Sequence, residues 1–229
     1  MNYKIFRLYV SGVSQRRMSR LLRLHQLTVA RKITFLGCRA RLFNHRHRLQ
    51  RLPIRRLQFD DMETFEHTKL KPLSITLAVE KFSRYIVGVE VARMPAKGLL
   101  AKRSLKKYGP RVDERKVSRQ RLFRKIRGKI ASTALIESDE NPHYKPDVQE
   151  FFPSATHVAH KGQRGAITGQ GELKKIGDDP LFSLNHTCAM LKANINRLFR
   201  RTWCTTKKIQ PLLDHLELYV MYHNHVLIQ

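Results

Sequence analysis

The chain has 229 residues with 45 Lys and Arg against 18 Asp and Glu, a formal net charge of +27 that points to a polyanionic partner; its 41% apolar content can bury a core, which excludes a wholly disordered basic tail. Three widely separated cysteines, Cys38, Cys188 and Cys204, exclude a disulfide framework or a local zinc ribbon and fit a reducing compartment. No apolar run reaches the roughly 20 residues that span a bilayer, and the start MNYKIFRLYVSG lacks the apolar core of a secretory signal, so a soluble, cytoplasmic protein with no membrane partner is expected.

Charge is laid unevenly along the chain. Residues 1–59 hold 15 Lys and Arg and no acid, and the first carboxylates arrive as the pair Asp60-Asp61. In this front piece, residues 3–9 alternate apolar and basic side chains at helical spacing until Ser11-Gly12 breaks the pattern. Ser14 is placed to cap a second helix, with Val13, Met18, Leu21 and Leu22 on its apolar face and Arg16, Arg17, Arg20 and Arg23 outward. After Arg23-Leu24-His25 a third helix is expected over residues 26–36, turning Leu27, Ala30, Ile33 and Phe35 or Leu36 inward and leaving Gln26, Thr28, Arg31 and Lys32 free for DNA. Three helices so spaced predict a helix-turn-helix DNA-binding region over residues 1–50, whose second helix of the pair enters the major groove. A small amphipathic helical hairpin gives a similar pattern.

From Leu57 the periodicity changes. LQFDDMETF, LSITLAVE and RYIVGVEVA are apolar or β-branched runs parted by Lys71-Pro72 and Lys81-Phe82-Ser83, so three sequential strands are expected. Residues 97–129 carry 14 basic side chains and two acids, Asp113 and Glu114, at a spacing that suits a helix with a charged face. IASTALIES then gives a fourth strand that ends at Asp139, and the whole makes a mixed α/β domain over residues 51–229. Strands normally avoid acids, so Asp60 in the first strand and Asp139 beyond the fourth need a reason. If these strands are neighbours, as in a ribonuclease H-like sheet, the two carboxylates converge and a cation such as Mg²⁺ or Mn²⁺ relieves their repulsion. Paired ions of this kind stabilise both oxygens of a phosphoryl displacement. A surface acid pair is the competing reading of Asp60-Asp61.

The string FDDMETFEHTK resembles the Asp-Glu-Met-x-Ser/Thr-Phe-x-x-x-Lys strand of small bacterial insertion-sequence transposases of the DDE class. SDENPHY looks like their second-aspartate segment, with Tyr144 five positions after Asp139; SLNHTCAMLKANINRLFRRTWCTTKK with YVMYHNH is similar to their C-terminal helix, and SGVSQRRMSRLLRLHQLTVARKITFLG to their helix-turn-helix. Four motifs in family order cover most of the chain. The resemblance implies Asp60 and Asp139 as the first and second ligands of Mg²⁺ or Mn²⁺, with Asp61 at the Glu position beside the first. It further implies phosphoryl transfer on double-stranded DNA at element ends and target, self-association on that DNA, and a bacterial cytoplasmic protein found at the nucleoid when bound. The third acid departs from the pattern, because Phe182, Ser183 and Leu184 precede Asn185 where the family carries Glu. Asp179, beside Pro180, is the better candidate than Asp178; a lost ligand, and neutral contacts from Asn185 or His186, stay open. Arg197, Arg200 and Arg201 are expected to face phosphates, and Trp203 to stack on a base or to cap the core. The family's cysteine-rich zinc ribbon has no counterpart ahead of the helix-turn-helix, which implies a truncated copy.

Other features carry less. His157 and His160, and His223 and His225, lack a cysteine at zinc-ligand spacing and are expected to be structural or phosphate-facing. GQRGAITGQG lacks the order of a phosphate-binding loop and is expected to be a plain loop. The leading expectation is a metal-dependent DNA transposase acting through Asp60, Asp139 and Asp179. Its rivals are a catalytically inactive remnant or repressor that only binds DNA, and a basic RNA-binding structural protein, against which the strand acids count.

Overall fold

A computed structural model describes residues 1–161, 179–199 and 205–228. The glycine-rich stretch 162–171, Asp178, Arg200, Arg201, Trp203 and Cys204 lie outside the described residues. The front of the chain forms three helices, α1 (Asn2–Val10), α2 (Gln15–Leu22) and α3 (Gln26–Gln50). Gly12 takes a positive φ of 78° between the first two, and the Ser14 hydroxyl accepts the Arg17 amide at 3.3 Å to cap α2.

Helix α3 runs well past its expected end at residue 36, because Gly37 is a packing residue here and not a stop. It faces α8 (Ile209–Tyr222) so closely that a Cβ on Gly37 would lie 2.6 Å from the Cβ of Asp214. That crossing sets the buried face of α3 as Val29, Ile33, Gly37, Ala40, Asn44 and Arg48. Leu27, expected to point inward, is instead 59% exposed; of Phe35 or Leu36 it is Leu36 that packs on the core, and Leu21 on α2 is exposed too. The front helices share a core with α8, in which Ile5, Tyr9, Val10 and Met18 meet Leu218. Polar links reinforce it: Asn44 Nδ2 donates to the carbonyl and carboxylate of Glu217 at 2.9 and 2.8 Å, and Arg41 pairs with Asp214 at 2.8 Å.

Strands β1 (Ile54–Phe65), β2 (Pro72–Glu80) and β3 (Ile86–Arg93) form an antiparallel meander. The basic segment that follows is two helices, α4 (Leu100–Tyr108) and α5 (Arg115–Ile126), because Gly109 at φ 74° followed by Pro110 ends the first. Strand β4 (Ile130–Asp139) then pairs parallel to β1, and β5 (Thr156–His160), reached through α6 (Tyr144–Phe151), pairs parallel to β4. The order β3-β2-β1-β4-β5 is a ribonuclease H-like mixed sheet with flanking helices, preceded by the helical unit. Alternation along β1 sorts its side chains into two layers. Leu57 and Phe59 pack with Leu122 and Phe123 of α5 and Tyr144 and Val148 of α6. Met62, on the other face, belongs with Leu184 and Leu191 of α7 (Phe182–Asn194) and Leu212 and Leu216 of α8. Among the described residues no helix is long and apolar enough to cross a membrane.

Gly37→Ala is expected to lower unfolding free energy by about 1–3 kcal/mol, since its methyl has no room unless the helices separate. Gly128→Ala, whose Cβ would meet nothing within 4 Å, should change it by less than about 0.5 kcal/mol. Urea denaturation of the two variants checks the contrast.

Candidate active site

The parallel register of β1 and β4 pairs Leu57 with Ile136 and Gln58 with Glu137. Two residues further along each strand, Asp60 and Asp139 come side by side where β4 ends, on the sheet face shared with Gln58 and Met62. Burial and then the charge of Asp139 push the Asp60 carboxyl up to about 6. Two donors hold that carboxylate in place: the Tyr144 hydroxyl at 3.0 Å and the Asp61 amide at 2.7 Å, both on Oδ1. Burial, with the nearby charges of Asp61, Asp60 and Asp139, drives the Tyr144 phenol far above its ordinary value, so it remains a donor at any working pH. Asp139 Oδ1 accepts the Asn141 amide at 3.1 Å, which turns the chain into α6 and delivers Tyr144 back over β1. The Asp-x₄-Tyr spacing therefore has a geometric purpose.

Asp61 points to the other face and is already engaged. Thr76 Oγ1 donates to it at 2.5 Å, and Arg119 lies 3.5 Å away. Arg119 is almost wholly buried; its Nε donates to Asp147 at 2.6 Å, a second nitrogen donates to the His143 carbonyl at 3.3 Å, and its plane sits 4.9 Å from the Tyr144 ring. This rivet ties β1, α5 and α6 together around the carboxylates. Beside it opens a cleft of about 310 Å³ whose lining includes Arg115, Lys116 and His143.

Asp179, expected as the third acid, is placed otherwise. Its Oδ1 accepts the Leu181 amide at 3.0 Å and its Oδ2 accepts the Asn185 side-chain amide at 2.9 Å, so it caps the start of α7. Gln58 anchors the same turn, donating to the Pro180 carbonyl at 2.7 Å and accepting the Leu184 amide at 3.1 Å. On α7, burial and then the charge of Asp60 push the Cys188 thiol up to about 12. His186 faces away, 3.2 Å from the Arg84 guanidinium. Among the described residues no three His, Cys, Asp or Glu side chains group as a cation site. The pair Asp60 and Asp139 nevertheless fits a hard divalent cation: both donors are carboxylate oxygens, and the burial and repulsion that raise Asp60 to about 6 penalise a charge that a cation would neutralise.

The residues expected to meet DNA fall into separate groups. Arg16, Gln26 and Arg197 line one groove of about 560 Å³, joined by Lys207. Thr28, Arg31 and Lys32 line a second, open cleft beside Phe35, with Lys32 donating to Asn2 Oδ1 at 3.0 Å. Arg17 is exposed on α2, and Arg200 and Arg201 lie outside the described residues. The histidines are structural: His157 bonds Ser138 at 2.9 Å, His160 bonds Glu137 at 2.9 Å, and His223 bonds the Arg84 carbonyl at 2.9 Å. His225 packs edge-on against His47, ring centroids 4.0 Å apart. Arg119 and Thr76 carry no distinguishing signal in the sequence, being one base in a basic run and one threonine in an apolar strand.

The Asp60 shift has a stability consequence with a definite sign. Its folded-state value of about 6 lies above the ordinary 3.8, so the ionised form destabilises the fold above pH 6 and the fold gains as pH drops from 6 towards 4. Asp60→Asn should therefore stabilise the metal-free protein at pH 7.5 by up to about 3 kcal/mol and make little difference at pH 4. Denaturant unfolding in EDTA at the two pH values checks this.

No family model and no curated protein matches the chain in sequence. Among solved structures it is similar to the catalytic domain of Mos1 mariner transposase, at 11% identity over 85% of this chain and 88% of that one, TM-score 0.39. It is also similar to the chains of the Mos1 strand transfer complex (9% identity, 100% and 78% covered, TM-score 0.30) and of a pre-cleavage Mos1 transpososome (8% identity, 100% and 78% covered, TM-score 0.25).

Proposed function

We propose that this protein is a DNA transposase of the bacterial insertion-sequence DDE type, in which Asp60 and Asp139 hold a divalent cation for phosphoryl transfer on double-stranded DNA. The observation that carries the reading is the convergence of two strand carboxylates at the end of β4, in a ribonuclease H-like sheet of a chain with +27 net charge. Bound there, Mg²⁺ or Mn²⁺ would supply Lewis-acid stabilisation of a phosphodiester under attack by water or a 3′ hydroxyl. The chain's own residues do the positioning. Tyr144 keeps Asp60 Oδ1 oriented, and Arg119, locked by Asp61 and Asp147, prevents α6 from drifting away from β1. On the cleft beside Asp61, Arg115 is held by Asp113 at 2.6 Å, which leaves Lys116 to offer positive charge to DNA passing that side. Asp179 is assigned to the α7 cap, so its loss should cost less than loss of either strand aspartate. The partners are element ends and target DNA, on which copies of the chain would assemble, at the nucleoid of a bacterial cytoplasm.

A second reading, an inactive DNA-binding remnant or repressor, is favoured by the meeting of only two carboxylates among the described residues. Labelled element-end duplex with Mn²⁺ or Mg²⁺ separates the two. The transposase reading expects cleavage by the parent, a drop of at least about 10³-fold in Asp60→Asn and Asp139→Asn, and binding affinities within about threefold. Tight, salt-sensitive binding by the parent with no strand cleavage would select the remnant.

A further inference from the structure

We infer that the groove lined by the start of α2, the start of α3, Arg197 and Lys207 is a clamp for the phosphodiester backbone of duplex DNA, holding it in fixed relation to the Asp60 site. The inference rests on the DNA-binding half of the proposed function and is independent of the cation.

Three cations reach this groove from three parts of the chain: Arg16 from the first turn of α2, Arg197 from beyond α7, and Lys207 from just before α8. Among the described residues none of them meets a carboxylate within ion-pair distance, whereas Arg41 on α3 pairs with Asp214 at 2.8 Å. A concave surface that gathers three positive charges from three parts of the chain raises the local concentration of polyanions. Gln26 and Asn196 add amide donors to the same lining.

The groove is also built and braced. Arg197 Nε donates to the Tyr9 hydroxyl at 3.3 Å, which fixes the guanidinium before any ligand arrives. Tyr9 in turn is wholly buried and stacks on His215 with ring centroids 3.7 Å apart, while His215 bonds the Tyr9 carbonyl at 3.2 Å. An oriented guanidinium is the side chain best suited to a bidentate hold on phosphate oxygens. The opposite wall is equally fixed, because the α1–α2 turn at Gly12 sits against the Asn194 carbonyl at the end of α7; a Cβ there would approach it to 3.3 Å. The front helices therefore form the groove with the sheet's own helices and without an intervening linker. A groove of about 560 Å³ with cations from three chain segments matches a run of phosphates better than one anion.

The experiment is fluorescence anisotropy of the full chain with a 30-base-pair duplex of arbitrary sequence across a KCl series, without divalent cation. Arg16→Ala and Lys207→Ala, which remove no long-range bond, should each make the slope of log K against log[KCl] shallower by about 0.9, and the double variant by about 1.8. Arg197→Gln, which can still donate to Tyr9, should act alike while keeping the parent's thermal midpoint. A double variant with the parent's slope overturns the clamp, as does a slope change seen with single-stranded RNA but absent with duplex DNA. The two claims fail separately: shallower slopes in a parent that never cleaves DNA uphold the clamp and sink the catalytic reading, and unchanged slopes in a cleaving enzyme do the reverse.

Discussion

The parallel pairing of β1 with β4 is the constraint on which the rest of the molecule depends. It brings Asp60 and Asp139, far apart in sequence, to adjacent positions at a strand end, and it does so against their mutual repulsion. The cost is met by the surrounding structure. Hydrophobic contacts of Leu57 and Phe59 with α5 and α6 hold one face of β1, and the Tyr144 hydroxyl and Asp61 amide solvate the carboxylate from within. Under the proposed function, a site destabilised when metal-free and relieved by a cation would be an ordinary trade between stability and function.

Two neighbouring aspartates have different fates because a strand alternates. Asp60 faces α7 and has no cationic partner among its bonds, whereas Asp61 faces α5 and is bonded by Thr76 and approached by Arg119. The same alternation puts Gln58 on the Asp60 face, where both ends of its amide grip the start of α7. Helix α7 is thus fixed against β1 by a neutral side chain. The helical front is joined to this frame by the α3–α8 crossing at Gly37 and by the stacked Tyr9 and His215, so a load on the basic groove is transmitted through packed elements.

Much of this was legible in the amino-acid order where local rules decide. The switch from helical to alternating periodicity at Leu57, the Ser14 cap and the four strands follow from residue types and spacing, whereas the convergence of Asp60 with Asp139 is conditional on the first and fourth strands being neighbours, as β1 and β4 are. What escaped depends on contacts between distant segments. The third helix reads as ending at residue 36 and Leu27 as core, but α3 packs on Asp214 of α8 at Gly37, continues to Gln50 and leaves Leu27 exposed. Asp179 reads as a free acid near the right helix, yet two donors from that helix occupy it. Lys207 joins Arg16 only through folding, since nearly the whole chain separates them.

The most direct test of the account is calorimetric titration of Mn²⁺ into the DNA-free protein and its Asp60→Asn and Asp139→Asn variants at pH 7.5 and pH 5. The account predicts saturable binding by the parent at pH 7.5 that weakens at pH 5, as Asp60 takes up its proton, and at least tenfold weaker binding by either variant. Binding of Mn²⁺ by the Asp60→Asn variant as tightly as by the parent would contradict it.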